Sequence, residues 1–275
     1  HNYLGETDFK KGLHDYLVKH SYNNAVTTDL WAALENASGK PVSKIMGSWT
    51  SIPGHPVVWF DTKNDSIELR QERFFASPEA TDNGEIWPVP IEINSENILL
   101  EDAHMMFDQK VEDGFKPNHG QTGFYVIGYT DTWLEALAPK LKSSELDVVD
   151  KFGVLTDTFD LIKAGKLDSV SGLKLIANLQ QETDMAVWDG MLGGLGSIMG
   201  VVDSEGMDQL EKFGAWLAKP RFEQLGWEPQ QGESHFDALL RPRLIGTVGR
   251  DDETTLSKAH ELFEANDIHA DIRDR

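Results

Sequence analysis

The chain has 275 residues, no cysteine, and 25 Lys plus Arg against 46 Asp plus Glu, for a formal net charge of −21. Disulfides, thiolate zinc sites and cysteine nucleophiles are thereby excluded, and the charge argues against nucleic acid or an anionic membrane as partner, since both need basic patches. A composition of 40% hydrophobic and 26% charged residues is that of a folded protein, and the length suggests two domains with room for a third small piece.

Residues 1–50 balance at five Lys against five acids, whereas 51–140 carry 6 basic and 16 acidic residues and 141–275 carry 14 and 25. The acid lies in the last two thirds, where solubility is its expected role. The absence of cysteine fits a reducing compartment, and a cytoplasmic location is expected. No apolar run approaches the roughly 18 residues of a membrane helix. A chain that opens on His1 within amphipathic sequence is expected to be cut from something longer, or processed.

In chain order, Phe9, Leu13, Tyr16 and Leu17 follow the spacing of one buried helix face. Thr27 or Thr28 can cap a second helix carrying Leu30, Trp31 and Leu34, ended by Ser38-Gly39. Pro41 suits the first turn of a third, with Val42, Ile45, Met46 and Trp49 facing inward, and Ile52-Pro53-Gly54-His55-Pro56 stops it. The period then changes. Val57–Phe60 is a strand and Asp61–Asp65 is turn chemistry. Ile67, Leu69, Gln71 and Arg73 alternate with Glu68, Arg70 and Glu72. Val89–Ile93, Ile98–Leu100, Met105–Phe107 and Phe124–Tyr129 are further strands, which together read as a small antiparallel β-sandwich.

After Thr130 the helical period returns. Leu146, Val149, Leu155, Phe159 and Ile162 mark one helix, with Gly165 as its C-cap. Val170, Leu173, Ile176 and Leu179 mark the next. Val187, Met191, Leu195, Ile198 and Val202 follow, with Thr183 near the start; then Met207, Leu210, Phe213 and Leu217, ended by Pro220; then Leu256, Ala259, Leu262 and Phe263. The expected fold is therefore multidomain: a short helical segment (1–50), a small antiparallel β-sandwich (51–130) and an all-α, solenoid-like array of helical hairpins (131–275).

The search for chemistry returns no catalytic, cofactor-binding or metal-binding residue in this chain. No HExxH string occurs; His260-Glu261-Leu262-Phe263-Glu264 lacks the second His. His14 and His20 are six apart and point to different sides of a helix. The run Gly190-Met191-Leu192-Gly193-Gly194-Leu195-Gly196 lies in an apolar helix with no following Lys, so close helix packing is its expected role. Glu182 and Asp184 suit the positive end of the helix that follows. Glu101-Asp102 with His104 reads as a solvated strand end. Of the eight Trp, only Trp59 and Trp87 fall among strands, both in apolar company, and most are expected in the core.

Several segments resemble the C-terminal half of the aminopeptidase N family, the gluzincin zinc aminopeptidases. Phe9, Gly12-Leu13, Tyr16-Leu17, His20, Tyr22, Asn24-Ala25 and Thr28-Asp29-Leu30-Trp31 are similar to the family's F-x-x-G-L-x-x-Y-L and H-x-Y-x-N-A-x-T-x-D-L-W. Ser38-Gly39-Lys40-Pro41-Val42, Ile45-Met46, Trp49-Thr50 and Gly54-His55-Pro56-Val57 resemble its next stretch, and Trp87-Pro88-Val89-Pro90-Ile91 its W-x-I-P-I strand. Asn118 through Asp131 resembles N…G-Y-Y-R-V-x-Y-D, except that Val126 stands where the family has Arg. Asp157–Gly165, Glu182–Trp188, Leu225-Gly226-Trp227 and Leu239-Leu240-Arg241 continue the resemblance in family order.

The resemblance implies a parent enzyme that removes N-terminal residues from peptides, a zinc-activated water attacking the first carbonyl with the HExxH glutamate as general base. The zinc ligands, the amine-binding G-x-M-E-N loop and the transition-state Tyr would all lie upstream. Residues 1–50 would then be the last helices of a thermolysin-like catalytic domain, 51–130 the β-sandwich, and 131–275 the first part of a helical domain that is usually longer. This chain would bind no zinc and be inactive alone. It would supply the spacer and part of the wall around the active site, with peptide substrates and the catalytic domain of the same polypeptide as partners. The alternative is a stand-alone sandwich-plus-solenoid interaction module without enzyme activity; a carbohydrate-binding module ranks behind both, because no exposed aromatic row is visible.

Overall fold

The computed structural model describes residues 1–63 and 65–265. Asn64, in the expected turn, and the last ten residues of the expected helical segment lie outside them. The chain divides into two compact units, His1–Trp133 and Leu134–Arg275.

The first unit begins with α1 (Glu6–Lys19), α2 (Thr27–Ser38) and α3 (Val42–Ser51). Gly12 lets α1 and α2 approach closely: a Cβ there would lie 2.9 Å from Leu34 Cα. Phe9, Leu13 and Tyr16 are half-buried as their spacing predicts, but Leu17 is 58% exposed. The cap of α2 also differs. Val26 is the N-cap residue, and Asp29 reaches back to accept its N–H at 3.0 Å, half of the reciprocal arrangement that satisfies a helix start. Gly39 ends α2 in the left-handed conformation, φ 67°. Pro41 precedes α3 as its N-cap rather than entering the first turn.

Next come β1 (Pro56–Lys63), β2 (Ser66–Arg73), β3 (Val89–Ile93), β4 (Glu96–Leu100), β5 (His104–Phe107) and β6 (Val126–Gly128). Strand β1 extends through Asp61 and Thr62 into the stretch expected to turn, and Lys63 pairs with Ser66. The sheet order is β5-β2-β1-β6, with β3 and β4 as a separate antiparallel pair. All pairings are antiparallel except one: β6 runs parallel to β1, Val57 opposite Val126 and Trp59 opposite Gly128. Parallel pairing requires a crossover of a dozen or more residues, and the chain between β1 and β6 supplies it. The strand expected over Phe124–Tyr129 is trimmed to its centre.

Ile67, Leu69, Trp87, Val89, Ile91, Ile93 and Leu100 form the apolar filling of this sandwich. Gln71 is buried among them. Its amide donates to Trp87 O at 2.8 Å and Asp102 O at 3.0 Å while accepting from Trp87 N–H at 2.9 Å, so β2 is tied to the segment entering β3 with every polar atom of the side chain used.

Helix α4 (Asp131–Lys142), not marked in the sequence reading, spans the unit boundary. The second unit continues with α5 (Val148–Lys163), α6 (Ser169–Ala177), α7 (Met185–Met199), α8 (Ser204–Leu225), α9 (His235–Val248) and α10 (Glu253–Glu264). The fold is thus short helices, a small β-sandwich and then helices alone. Starts in the second unit are written in side-chain caps: Asp147, Asp168, Asp184, Asp203, Ser234 and Asp252 each accept a backbone N–H of the following turn, as short oxygen-bearing residues do. Gly165 (φ 69°) closes α5, donating to Ile162 O while Lys166 N–H reaches Leu161 O.

Three helical expectations need correction. Pro220 does not end α8, which runs on to Leu225. A proline frees the carbonyl four residues back, here that of Trp216, and Gln180 Nε2 donates to it at 2.9 Å. Helix α9 has no counterpart among the sequence-marked helices; Pro242 and two arginines, Arg241 and Arg243, interrupt its apolar pattern. In α10 the marked apolar positions are not a buried face: Leu256 and Phe263 are exposed and only Thr255 is buried.

Candidate functional site

The first unit holds a cavity of about 650 Å³. One wall is the inner face of α3, Ile45, Met46 and Trp49; another is the β3–β4 hairpin with Pro90, Glu92, Asn94 and Asn97; the third is the loop carrying Phe115, Asn118 and Phe124. His1–Tyr3 complete the lining.

The loop is built around Asn118. Its backbone is left-handed, φ 52°, and its side chain accepts from Gly123 N–H at 2.7 Å while donating to Gly123 O at 3.0 Å and Gln121 Oε1 at 3.2 Å. Lys116 Nζ donates to Asn118 O at 3.0 Å. Gly123 is required by close approach, since a Cβ there would lie 2.2 Å from the Tyr125 ring. The N…G-F-Y motif is therefore an architectural staple. Val126, where the resemblance expects Arg, is buried in β6 beside Val57.

Motif residues distant in sequence converge here. Trp49 Nε1 donates to Pro88 O at 2.9 Å, and the Trp49 ring packs against Trp87 at 6.2 Å and Phe124 at 6.1 Å. His55 lies between Phe124 (5.4 Å) and Phe74 (5.2 Å). Phe124 is nonetheless 72% exposed. Among the described residues five non-glycines have positive φ, and three of them, Asn94, Ser95 and Asn118, line this cavity. Burial first, then the Glu101 carboxylate, raises the Tyr3 phenol above its ordinary value, and Lys40 Nζ sits 4.3 Å from the centre of that ring.

No set of side chains among the described residues fits zinc. It needs three or four converging donors, and among the described residues no group of three His, Asp or Glu side chains could hold a metal ion. His14 meets Asp15 on the exposed side of α1, and His20 lies 3.9 Å from Asp29. Glu101, Asp102 and His104 do not converge either: His104 pairs with Glu68 at 2.8 Å and Glu101 with Lys44 at 2.7 Å, as a solvated strand end should. Glu261 of the HExxH-like string pairs with Lys258 on α10.

The remaining expectations resolve residue by residue. Asp184 caps α7 through Ala186 N–H at 2.8 Å, and Glu182 accepts from Thr183 and Asp184 N–H just before it. In the glycine run, Gly190 and Gly194 face α5, where a Cβ at Gly194 would lie 2.2 Å from the Phe159 ring; Gly193 and Gly196 face open space. Trp87 and Trp188 are fully buried. Trp59 is not in purely apolar company: its Nε1 donates to Glu72 at 2.8 Å and its ring covers Gly128. The cavity itself was not visible in the sequence, because its walls come from four separate segments; the Asn118–Gly123 pattern was the signal nearest to it.

Comparison with known proteins identifies the lineage. Residues 114–275 match the ERAP1-like C-terminal domain, and residues 1–49 match the Peptidase family M1 domain. The chain is 36% identical to Aminopeptidase M1-A of Oryza sativa subsp. japonica over 95% of its own length, and 34% identical to Aminopeptidase M1 of Arabidopsis thaliana over 96%. It is 30% identical to the puromycin-sensitive aminopeptidase of Caenorhabditis elegans over 98%. It spans 32%, 33% and 31% of those proteins, about a third of each. No helix among the described residues is long and apolar enough to cross a membrane. With the ERAP1-like C-terminal domain covering more than half of it, the chain belongs to the M1 aminopeptidase family and corresponds to a C-terminal part of such a protein.

Proposed function

We propose that this chain is the non-catalytic C-terminal part of a zinc-dependent aminopeptidase that removes N-terminal residues from peptides, and that by itself it is inactive. The observation that carries this reading is a mismatch: residues 1–49 match the Peptidase family M1 domain, yet HExxH occurs nowhere in the 275 residues. Zinc would be held elsewhere in the parent, and no step of the reaction is assigned to side chains of this chain.

Its role is structural. Residues 1–50 act as the last helices of the catalytic domain, 51–130 as the spacer, and 131–275 as part of the wall that encloses the active site and limits access to peptides. The catalytic domain of the same polypeptide is the expected partner. Leu17, Val18, Tyr22 and Val26 support this, because all four are exposed large apolar residues within the M1-matched segment, and such patches mark surfaces that something else covers. The net charge supports exclusion of nucleic acid and anionic membranes, and the cysteine-free sequence supports a cytoplasmic parent.

The test is an assay of the purified chain with zinc and leucyl-p-nitroanilide. No turnover above buffer is expected; zinc-dependent turnover would overturn the reading. The runner-up, a stand-alone interaction module, draws on the division into two compact units. It predicts that covering the Leu17–Val26 face with charge leaves the chain equally soluble and stable, whereas the fragment reading predicts a gain in solubility.

A further inference from the structure

Helices α7, α8 and α9 enclose a slot of about 370 Å³ in the second unit. Its floor is Leu195 and Leu210, both buried, and its walls are Leu192, Met199 and Met207, all half-buried. At Gly214 the slot narrows, since a Cβ there would lie 3.1 Å from Leu195 Cδ2 and 3.4 Å from Thr247 Cγ2. Along α7 it stays open, since a Cβ at Gly196 would meet nothing within 4 Å.

Arg250 lines this slot and also the shallower depression beside it. The second arginine there, Arg243, is committed to Asp189. Arg250 is held more loosely, in an ion pair with Glu211, which also lines the slot. Glu211 approaches it at 3.6 Å, beyond hydrogen-bond length, and among the described residues the Arg250 guanidinium makes no hydrogen bond. A donor-rich planar cation at the mouth of an apolar slot matches a carboxylate.

We propose that this slot binds a short aliphatic carboxylate, the chain among the Leu and Met side chains and the carboxylate on Arg250. The volume lies at the low end of ligand-binding pockets, which selects a short chain over a long lipid. The net charge of −21 opposes an anion at long range, but physiological salt screens it within about 8 Å, so the local Arg250–Glu211 pair decides, and the ligand carboxylate competes with Glu211 for the guanidinium. The inference is independent of the aminopeptidase reading, because it uses only residues of the second unit.

The experiment is calorimetric titration of the whole chain with butanoate, hexanoate, octanoate and octanol below their self-association concentrations. Affinity is expected to rise about fourfold per added methylene, and octanol to bind at least about tenfold more weakly than octanoate. Arg250→Gln should remove the octanoate–octanol difference while keeping octanol binding. Gly196→Leu should abolish binding of both while raising the thermal midpoint, since glycine is a poor helix former; retained helical circular dichroism separates lost binding from lost folding. Equal binding of octanoate and octanol to the unaltered chain, octanoate affinity unchanged in folded Gly196→Leu, or no binding at all would each overturn the proposal.

Discussion

Lys151 Nζ lies 2.8 Å from Glu182 Oε2, with the two side chains only 12% and 10% exposed. The pair joins the first turn of α5 to the segment that opens α7, and the same carboxylate accepts the Thr183 and Asp184 N–H groups while Trp188 Nε1 donates to the Glu182 carbonyl at 2.9 Å. Burial pushes the Glu182 carboxyl upward, but the hydrogen bonds from Lys151, Asp184 and Thr183 outweigh it and hold the group below its ordinary value. Lys151→Met leaves a buried carboxylate without its cation and should cost about 2–4 kcal/mol, read by urea unfolding.

The same pair sets a pH dependence. A carboxyl whose folded value lies below its unfolded one stabilises the fold above the ordinary carboxylate range and loses that contribution as pH falls through the folded value. The unaltered chain should therefore weaken on acidification below about pH 4. In Lys151→Met the carboxyl keeps its two N–H bonds but loses its cation, so its folded value rises and the cost of the substitution should shrink as pH falls through the carboxylate range; urea unfolding of both chains at a series of pH values reads the change.

Asp252 gives a second, local dependence. The hydrogen bond from Lys219 and then the Thr255 N–H lower its carboxyl from 3.8 to about 2, and it caps α10. Its contribution is present above about pH 4 and lost towards pH 2. Asp252→Asn keeps a cap and should flatten this step, whereas Asp252→Ala should cost about 1 kcal/mol, read as faster hydrogen exchange across Thr254–Glu264.

Gln180 and Pro220 form a testable couple. Gln180→Ala should cost about 1 kcal/mol by leaving the Trp216 carbonyl without its donor. In a Pro220→Ala background the restored N–H can serve that carbonyl, so the same substitution should cost close to nothing. A double-mutant cycle measures the difference.

The glycines of α7 divide cleanly. Gly194→Ala drives a methyl into the Phe159 ring and should lower the thermal midpoint of the second unit. Gly193→Ala meets open space and should stabilise by up to about 1 kcal/mol.

These residues also explain how far the sequence could be read. The apolar spacing of the helices, the left-handed Gly39 and the alternation of Ile67, Leu69 and Gln71 are local signals, so α2, α5–α8 and β2 were legible. Helix α8 was cut short at Pro220 because the compensating donor, Gln180, sits 36 residues away. Helix α9 was missed because Arg241 is buried in it, paired with Glu233, where an apolar residue is expected. The parallel placement of β6 beside β1 depends on tertiary packing that no local pattern encodes. At the cavity, Trp49 and Asn118 were visible as motif residues, but their convergence with the β3–β4 hairpin was not. The slot in the second unit was illegible for a related reason: in sequence Gly196 belongs to the same run as the tightly packed Gly194, and only the space around each separates them.

The most direct measurement is a replacement. This chain substitutes for the matching third of rice Aminopeptidase M1-A, and the purified chimera is assayed for release of N-terminal residues from a peptide. The account predicts a folded chimera with zinc-dependent activity, and no activity from this chain alone. A chimera that folds and binds zinc yet cleaves nothing, or turnover by this chain in isolation, would contradict it.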